Sequence, residues 1–337
     1  MPQGSVLGPL LFLLYINDLP DYISNCEILS FADDTKISSR INSVTDTANL
    51  QENLNKIIAW TENNNMKLNN DKFEFICHRL GSTNVNQRML QVLPFYKENY
   101  NYYASSTNLI SKSNYVRDLG VFVDSELTWD IHRSKIYKKS RQITGWILNT
   151  FYTRQKKPMI LLFNSLVRPI LEYCCELWSP YKIKDIVMLE QVQRNFTFKI
   201  IQNKNLDYWE RLVELEISSL QRRREKLILL YVWKIKNQIL PNSINLNFKL
   251  EKRTKAMKAV IKSLPRIQSK TITKMDESIL VRSARLWNKL PANITTINNY
   301  QKFKTKLTLF LSKLPDKPPM PGYNYGNNNS VIDVSDH

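Results

Sequence analysis

Two adjacent carboxylates, Asp33 and Asp34, sit in the run Phe31-Ala32-Asp33-Asp34-Thr35, between an apolar stretch and Lys36-Ile37. Such a pair at a turn has two ordinary uses. It can be solvated, since Asp is a favoured turn residue. It can also hold a hard divalent ion, because Mg2+ or Mn2+ takes oxygen ligands and keeps positions open for water and substrate phosphates. On a rigid hairpin the pair would help place two ions about 3.5–4 Å apart, where they stabilise the attacking and leaving oxygens of a phosphoryl transfer. The dipeptide alone favours the solvated turn.

The flanking elements decide where these groups stand. Gln3-Gly4-Ser5 is a polar, flexible entry, and Gly8-Pro9 falls where a helix starts, Pro being tolerated in a first turn. Leu10 to Ile16 then reads as a helix buried on all sides, ending near Pro20. The runs CEILSF and TKISSRI flank Ala32-Asp33-Asp34 like two strands, so the carboxylates are expected at a hairpin tip. Ser43 or Thr45 can cap a helix carrying Leu50, Leu54, Ile57 and Ile58 at helical spacing. FEFI begins another strand, a Tyr- and Asn-rich connection fills 84–114, and RDLGVFVD reads as one strand. From LTWDIHRSKIYKKSRQITGWIL onward the pattern is mostly helical. Leu189, Val192, Phe196 and Ile200 mark one helix; Leu227, Leu230, Tyr231 and Ile235 mark the core face of another; a last helix covers about Tyr300 to Leu314. The tail with PDKPPMPGYNYGNNN is expected to be disordered.

At 337 residues and 43% hydrophobic content the chain can bury a core and hold two or three domains. Its formal charge is +18, and the excess is local: Arg222 to Lys313 holds 22 basic and 4 acidic residues, so the remainder is neutral. Clustered Lys and Arg point to a polyanion, with a membrane surface as the other candidate. Arg222, Arg223, Arg224, Lys252, Arg253, Lys255, Lys258 and Lys262 are the candidate phosphate contacts, with Tyr231 and Trp233 near for base stacking. A solvated basic face and a core tryptophan account for the same residues.

Four cysteines, Cys26, Cys77, Cys174 and Cys175, form no CxxC pair, and buried reduced thiols of an intracellular protein are expected. The opening apolar run VLGPLLFLLYI has no basic residue before it, and at eleven residues it is too short to span a bilayer. A nuclear or cytoplasmic location follows as the expectation.

Motif order sharpens the reading. PQGSVLGPLLFLLYINDLP followed by FADDTKI resembles the reverse transcriptase domain of jockey-like non-LTR retrotransposons. The resemblance continues through MKLNNDKFEFI, VRDLGVFVDSELTWDIHRSKI, LFNSLVRPILEYCCELWSP, LEQVQRNFTFKII and VRSARLWNKLP, to about residue 313. It implies that Asp33 and Asp34 are palm carboxylates holding catalytic Mg2+ or Mn2+, and that Gln3, Gly4 and Ser5 touch template and incoming deoxynucleotide. It implies further that Lys72 assists pyrophosphate departure and that Leu119 and Gly120 grip the primer end. RNA template and DNA primer are the implied partners.

The resemblance implies an α+β fold: a partial palm over 1–125, a helical thumb-like region over 126–240, a basic helical region over 241–313, and a tail over 314–337. In the family the fingers and a palm strand with the first metal-binding Asp come before the point where this chain opens. The chain alone is therefore expected to be inactive, or to need an N-terminal polymerase fragment in trans. An unpaired edge beside Cys26 to Phe31 and a partly uncovered Leu10 to Ile16 helix are expected as well. Two other readings stay open: a non-catalytic nucleic-acid-binding module, and an interaction scaffold on the helices of about 130–240.

Overall fold

A computed structural model of the chain describes residues 5–69, 72–78, 101–105, 108–201, 203, 205–253, 256–261 and 278–321, the side chains of 251–257 excepted. The described residues form an α+β arrangement of helices and small two-stranded sheets. The chain divides into two compact units, Met1–Asp118 with Val123–Leu127, and Leu119–Phe122 with Thr128–His337. Among the described residues no helix is long and apolar enough to cross a membrane.

In the first unit, helix α1 (Gly8–Ile16) begins with Pro9 in its first turn, and the Ser5 hydroxyl accepts the Gly8 N–H at 3.0 Å. A Cβ on residue 8 would lie 2.8 Å from that hydroxyl, so glycine there lets the serine close over the helix end. Burial of α1 on all sides is not what is found. Ile16 is buried and Phe12 partly so, whereas Leu10, Leu13 and Leu14 are more than half exposed. A helix apolar all round needs cover on every side, and the described residues cover only one.

Strands β1 (Glu27–Phe31) and β2 (Asp34–Ser38) pair antiparallel, and among the described residues no further strand joins either edge. Behind them lies α2 (Val44–Asn63), whose Ser43 and Asp46 form a reciprocal cap. Ile57 and Trp60 pack with Ile16, Leu19, Ile28 and Ile37, while Leu54 packs with Tyr102, Ala104 and Ile110. One helix thus serves two small cores. Asn53 of α2 brackets the Ser24 backbone, accepting its N–H at 3.0 Å and donating to its carbonyl at 2.8 Å, which anchors the chain just before β1. The expected FEFI strand is short: β3 (Glu74–Phe75) pairs in parallel with β4 (Ser111–Lys112).

RDLGVFVD is two strands, not one. β5 (Tyr115–Asp118) and β6 (Val121–Asp124) form a sheet, and Leu119 and Gly120 turn between them at φ 45° and 88°. Positive φ at both central residues is the tight-hairpin requirement, and Gly120 meets it without steric cost.

The second unit is built on α3 (Asp130–Thr150), α4 (Ile183–Ile201), α5 (Tyr208–Glu214) and α6 (Leu220–Lys236). Leu189, Val192, Phe196 and Ile200 are all buried, as their spacing implied. In α6 the buried apolar face is Ile228, Leu229, Val232, Trp233 and Ile235; Leu227, Leu230 and Tyr231 are only partly covered. Between α3 and α4, the helical stretch Lys156–Leu162 widens at Phe163–Val167 before Arg168–Glu172. Pro169 removes a backbone donor there, and a wider turn absorbs the mismatch.

Past residue 240 the chain is not wholly helical. β7 (Phe248–Arg253) and β8 (Ala256–Ile261) form an antiparallel hairpin ahead of α7 (Ile279–Lys289) and α8 (Tyr300–Ser312). One core joins α6 to these elements, with Trp233 and Trp287 each stacked on Phe303, at 5.5 and 5.9 Å between ring centroids. The start of the tail is also ordered. Asp316 accepts from the Ser219 N–H and hydroxyl at 2.8 and 2.6 Å, the Pro318 carbonyl accepts from Trp209, and Met320 is buried. Residues 322–337 lie outside the described residues. Cys175 is buried as expected, but Cys77 is exposed; all four thiols are free.

Candidate metal-binding hairpin and its surroundings

Phe31 pairs with Asp34, which leaves Ala32 and Asp33 as the loop between β1 and β2. Ala32 takes φ 51°, the left-handed value a two-residue hairpin loop needs. A non-glycine residue in that region carries backbone strain, so the tip geometry is held by the strands on either side. Side chains alternate across a strand. Ile28 and Ile37 face the core with Ile16 and Trp60, which turns Asp34 and Lys36, opposite Phe31 and Leu29, to the outer face.

Asp33 and Asp34 are exposed, and neither carboxylate has a hydrogen-bond or ion-pair partner among the described residues. Two carboxylates at one tip, with no cation claiming them, are a donor set that fits Mg2+ or Mn2+. They are an incomplete one: among the described residues no group of three or more His, Cys, Asp or Glu side chains could hold an ion. On the same face Lys36 pairs with Asp118, the last residue of β5. Asp118 was not singled out from the sequence; its signal was its place directly before the Leu119-Gly120 turn.

The other expected site residues are scattered or outside view. Gln3, Gly4, Lys255 and Lys262 lie outside the described residues, as do the side chains of Lys252 and Arg253. Ser5 is exposed and engaged in capping α1. Lys72 is exposed, its N–H bonded to the Asn69 carbonyl at 3.1 Å. The Leu119 carbonyl accepts the Tyr173 hydroxyl at 2.9 Å, which pins the turn within the second unit.

The basic triplet requires a correction. Arg222 and Arg224 are 4% and 1% exposed, and Arg223 is bound to Glu172 through two nitrogens. Arg222 donates to the Pro315 carbonyl at 2.8 Å and faces Asp316 at 4.0 Å. Arg222 and Arg224 are thus turned inward, and Arg223 is tied to Glu172 with its side chain 27% accessible. Lys258 donates to the Asn288 carbonyl at 2.8 Å. Trp233 is a core residue, its indole N–H bonded to the Ile297 carbonyl at 2.7 Å.

Sequence reasoning also missed a buried polar network. Glu190 accepts from the Tyr208 hydroxyl and from the Gln221 N–H, both at 2.6 Å, beside Arg224. Burial raises the Glu190 carboxyl above its usual range against the pull of Arg224, and burial lowers Arg224. The available signal was the position of Glu190 next to Leu189 on the core-facing side of α4.

Residues 1–123 match the family model described as reverse transcriptase (RNA-dependent DNA polymerase). A probable RNA-directed DNA polymerase from transposon X-element of Drosophila melanogaster is 24% identical over 187 residues, covering 53% of this chain and 19% of the relative. The RNA-directed DNA polymerase from mobile element jockey of the same fly is 26% identical over 195 residues, with the same shares. An uncharacterized protein, B0403.1 of Caenorhabditis elegans, is 29% identical over 114 residues, 33% of this chain and 58% of the relative. The chain thus spans about one fifth of the length of the fly polymerases it matches. No solved structure matches. The chain is similar to jockey-like reverse transcriptases, as its motif order implied.

Proposed function

We propose that this chain carries part of an RNA-directed DNA polymerase palm, with Asp33 and Asp34 as carboxylates that hold divalent metal for deoxynucleotide addition to a primer. The single observation behind this is a carboxylate pair at a two-residue hairpin loop, exposed and unclaimed by any described cation. A bound Mg2+ or Mn2+ supplies positive charge to the transferring phosphoryl group. Lys72 is the candidate to support the leaving pyrophosphate, Gln3 to Ser5 to meet nucleotide and template, and Leu119-Gly120 to seat the primer end. Residues 1–125 then act as palm and 126–313 as thumb-like and C-terminal helical support.

Among the described residues no third carboxylate groups with this pair, and two-ion chemistry needs more ligands than two side chains, so little or no activity is expected unless a further carboxylate is supplied. Primer extension on an RNA template with Mg2+ or Mn2+ tests this. No product is expected from the chain alone, and product is expected when a polymerase fragment supplies a further palm carboxylate. Synthesis that persists in the Asp33→Asn/Asp34→Asn variant would refute the assignment.

A second reading, a non-catalytic nucleic-acid-binding module, has one specific support. Lys302, Lys304, Lys306 and Lys313 line the exposed side of α8 and its end, with no ion pair among the described residues. Phosphate contact by these lysines makes affinity fall steeply with salt. Filter binding across a salt series, with Lys304→Gln/Lys306→Gln beside the native chain, separates contact from a merely solvated face.

A further inference from the structure

We propose that Asp118 is a positioning residue for the metal-holding hairpin: it draws the Lys36 ammonium away from Asp34 and so keeps that carboxylate free for a divalent ion. This rests on the metal-binding reading of Asp33 and Asp34.

Lys36 follows Asp34 by two residues in β2, so both side chains leave the same face, about 7 Å apart along the strand. A lysine stem spans that gap, and an ammonium resting on Asp34 neutralises the charge a metal ion needs. Across the hairpin, Lys36 faces Leu29 and Asp34 faces Phe31, both apolar and exposed, so neither offers an acceptor. Glu27 is diagonal to Lys36 on this face and is not its partner. The ammonium is paired with Asp118, and the Asp34 carboxylate is left without a partner among the described residues. Asp118 ends β5, so the pair also links the hairpin to the strand that leads into the Leu119-Gly120 turn.

The pair is half-exposed, with side chains 51% and 38% accessible. A pair this wet has a small effect, so a change of about two- to five-fold in metal affinity is the expected scale. Mn2+ titration of the full chain, followed by the electron paramagnetic resonance signal of free Mn2+, gives the readout. Asp118→Asn is expected to weaken Mn2+ binding by that factor in dilute salt, and Lys36→Gln/Asp118→Asn to restore it. Lys36→Gln alone should bind as well as the native chain or better. Molar KCl should erase the Asp118→Asn defect, which a fold defect would not do.

Loss of Mn2+ binding in Asp34→Asn together with native binding in Asp118→Asn overturns the positioning role and leaves the metal site standing. A double variant that stays weak also overturns it, because Asp118 is then a ligand or a structural prop. If Asp33→Asn/Asp34→Asn binds Mn2+ like the native chain, the metal-binding reading itself fails.

Discussion

Tyr208 donates its hydroxyl to Glu190 at 2.6 Å in the interior of the second unit, and the Arg224 guanidinium lies beside them, 1% exposed and with no hydrogen bond among the described residues. A buried cation without donors satisfied depends on nearby negative charge, here Glu190 first, with Glu172 and Glu225 behind it. Removing one member of such a pair costs about 3–5 kcal/mol, whereas replacing both with neutral groups of similar volume can be neutral or stabilising. Glu190→Gln and Arg224→Met are each expected to lower unfolding stability, Glu190→Gln by less than that amount because Glu172 and Glu225 still act on Arg224, and the double variant to recover part of the loss. Urea unfolding of the four proteins is the check.

His132 makes stability depend on pH. Its Nδ1 accepts the Phe122 N–H at 3.2 Å, and burial, with the Arg133 charge second, lowers its pKa to about 4 from 6.5. As pH falls, the unfolded chain takes up the proton first. The His132 contribution is therefore complete above pH 6.5 and is lost progressively down to about pH 4. Allowing for screening by nearby water, the loss is about 1–2 kcal/mol. His132→Leu should be less stable at neutral pH through loss of the Phe122 acceptor, yet flatter across this window. Denaturant midpoints measured at half-unit pH steps decide it.

Gly120 is held at φ 88°, and a Cβ there would meet only Tyr173 Cε1 at 3.6 Å, an ordinary contact. Strain in the backbone, not crowding, sets the cost of substitution. Gly120→Ala is expected to lose about 1–2 kcal/mol, Gly120→Asn less, since Asn tolerates the left-handed region, and Gly120→Val more. Thermal melts of the three variants should follow that order.

The Asp33-Asp34 hairpin was legible because a two-residue turn between short alternating strands is a local pattern, fixed by residues five apart. The α2 cap was legible for the same reason, through Ser43, one of the two capping candidates; its reciprocal partner Asp46 was not read. What escaped were properties set by distant partners. Arg222 and Arg224 look like surface charge until Glu190, Asp316 and the Pro315 carbonyl arrive from other elements. The β7–β8 hairpin has no Gly, Asn or Asp at its turn, so its strands resembled more basic helix. Leu119-Gly120 did carry a turn signal, but the β-prone Tyr115-Val116 before it and Val121-Phe122-Val123 after it merged into one apparent strand. The outer side of α1 shows the converse: composition reports how apolar a segment is, not whether anything covers it.

That uncovered side supports a final prediction. Leu14 is 67% exposed and Leu10 56%, on a helix that packs through Phe12, Ile16 and the edge of Tyr15 on Trp60. Surface substitutions away from packed contacts change stability by less than about 0.5 kcal/mol, while contiguous exposed apolar area drives association. Leu14→Glu should therefore leave the unfolding midpoint unchanged and reduce concentration-dependent self-association in sedimentation velocity. Ile16→Glu should do the opposite, unfolding the first unit, because Ile16 packs against Leu19, Ile57 and Trp60. If Leu14→Glu destabilises the chain as strongly as Ile16→Glu, the outer side of α1 is packed in solution and the exposure described above is wrong.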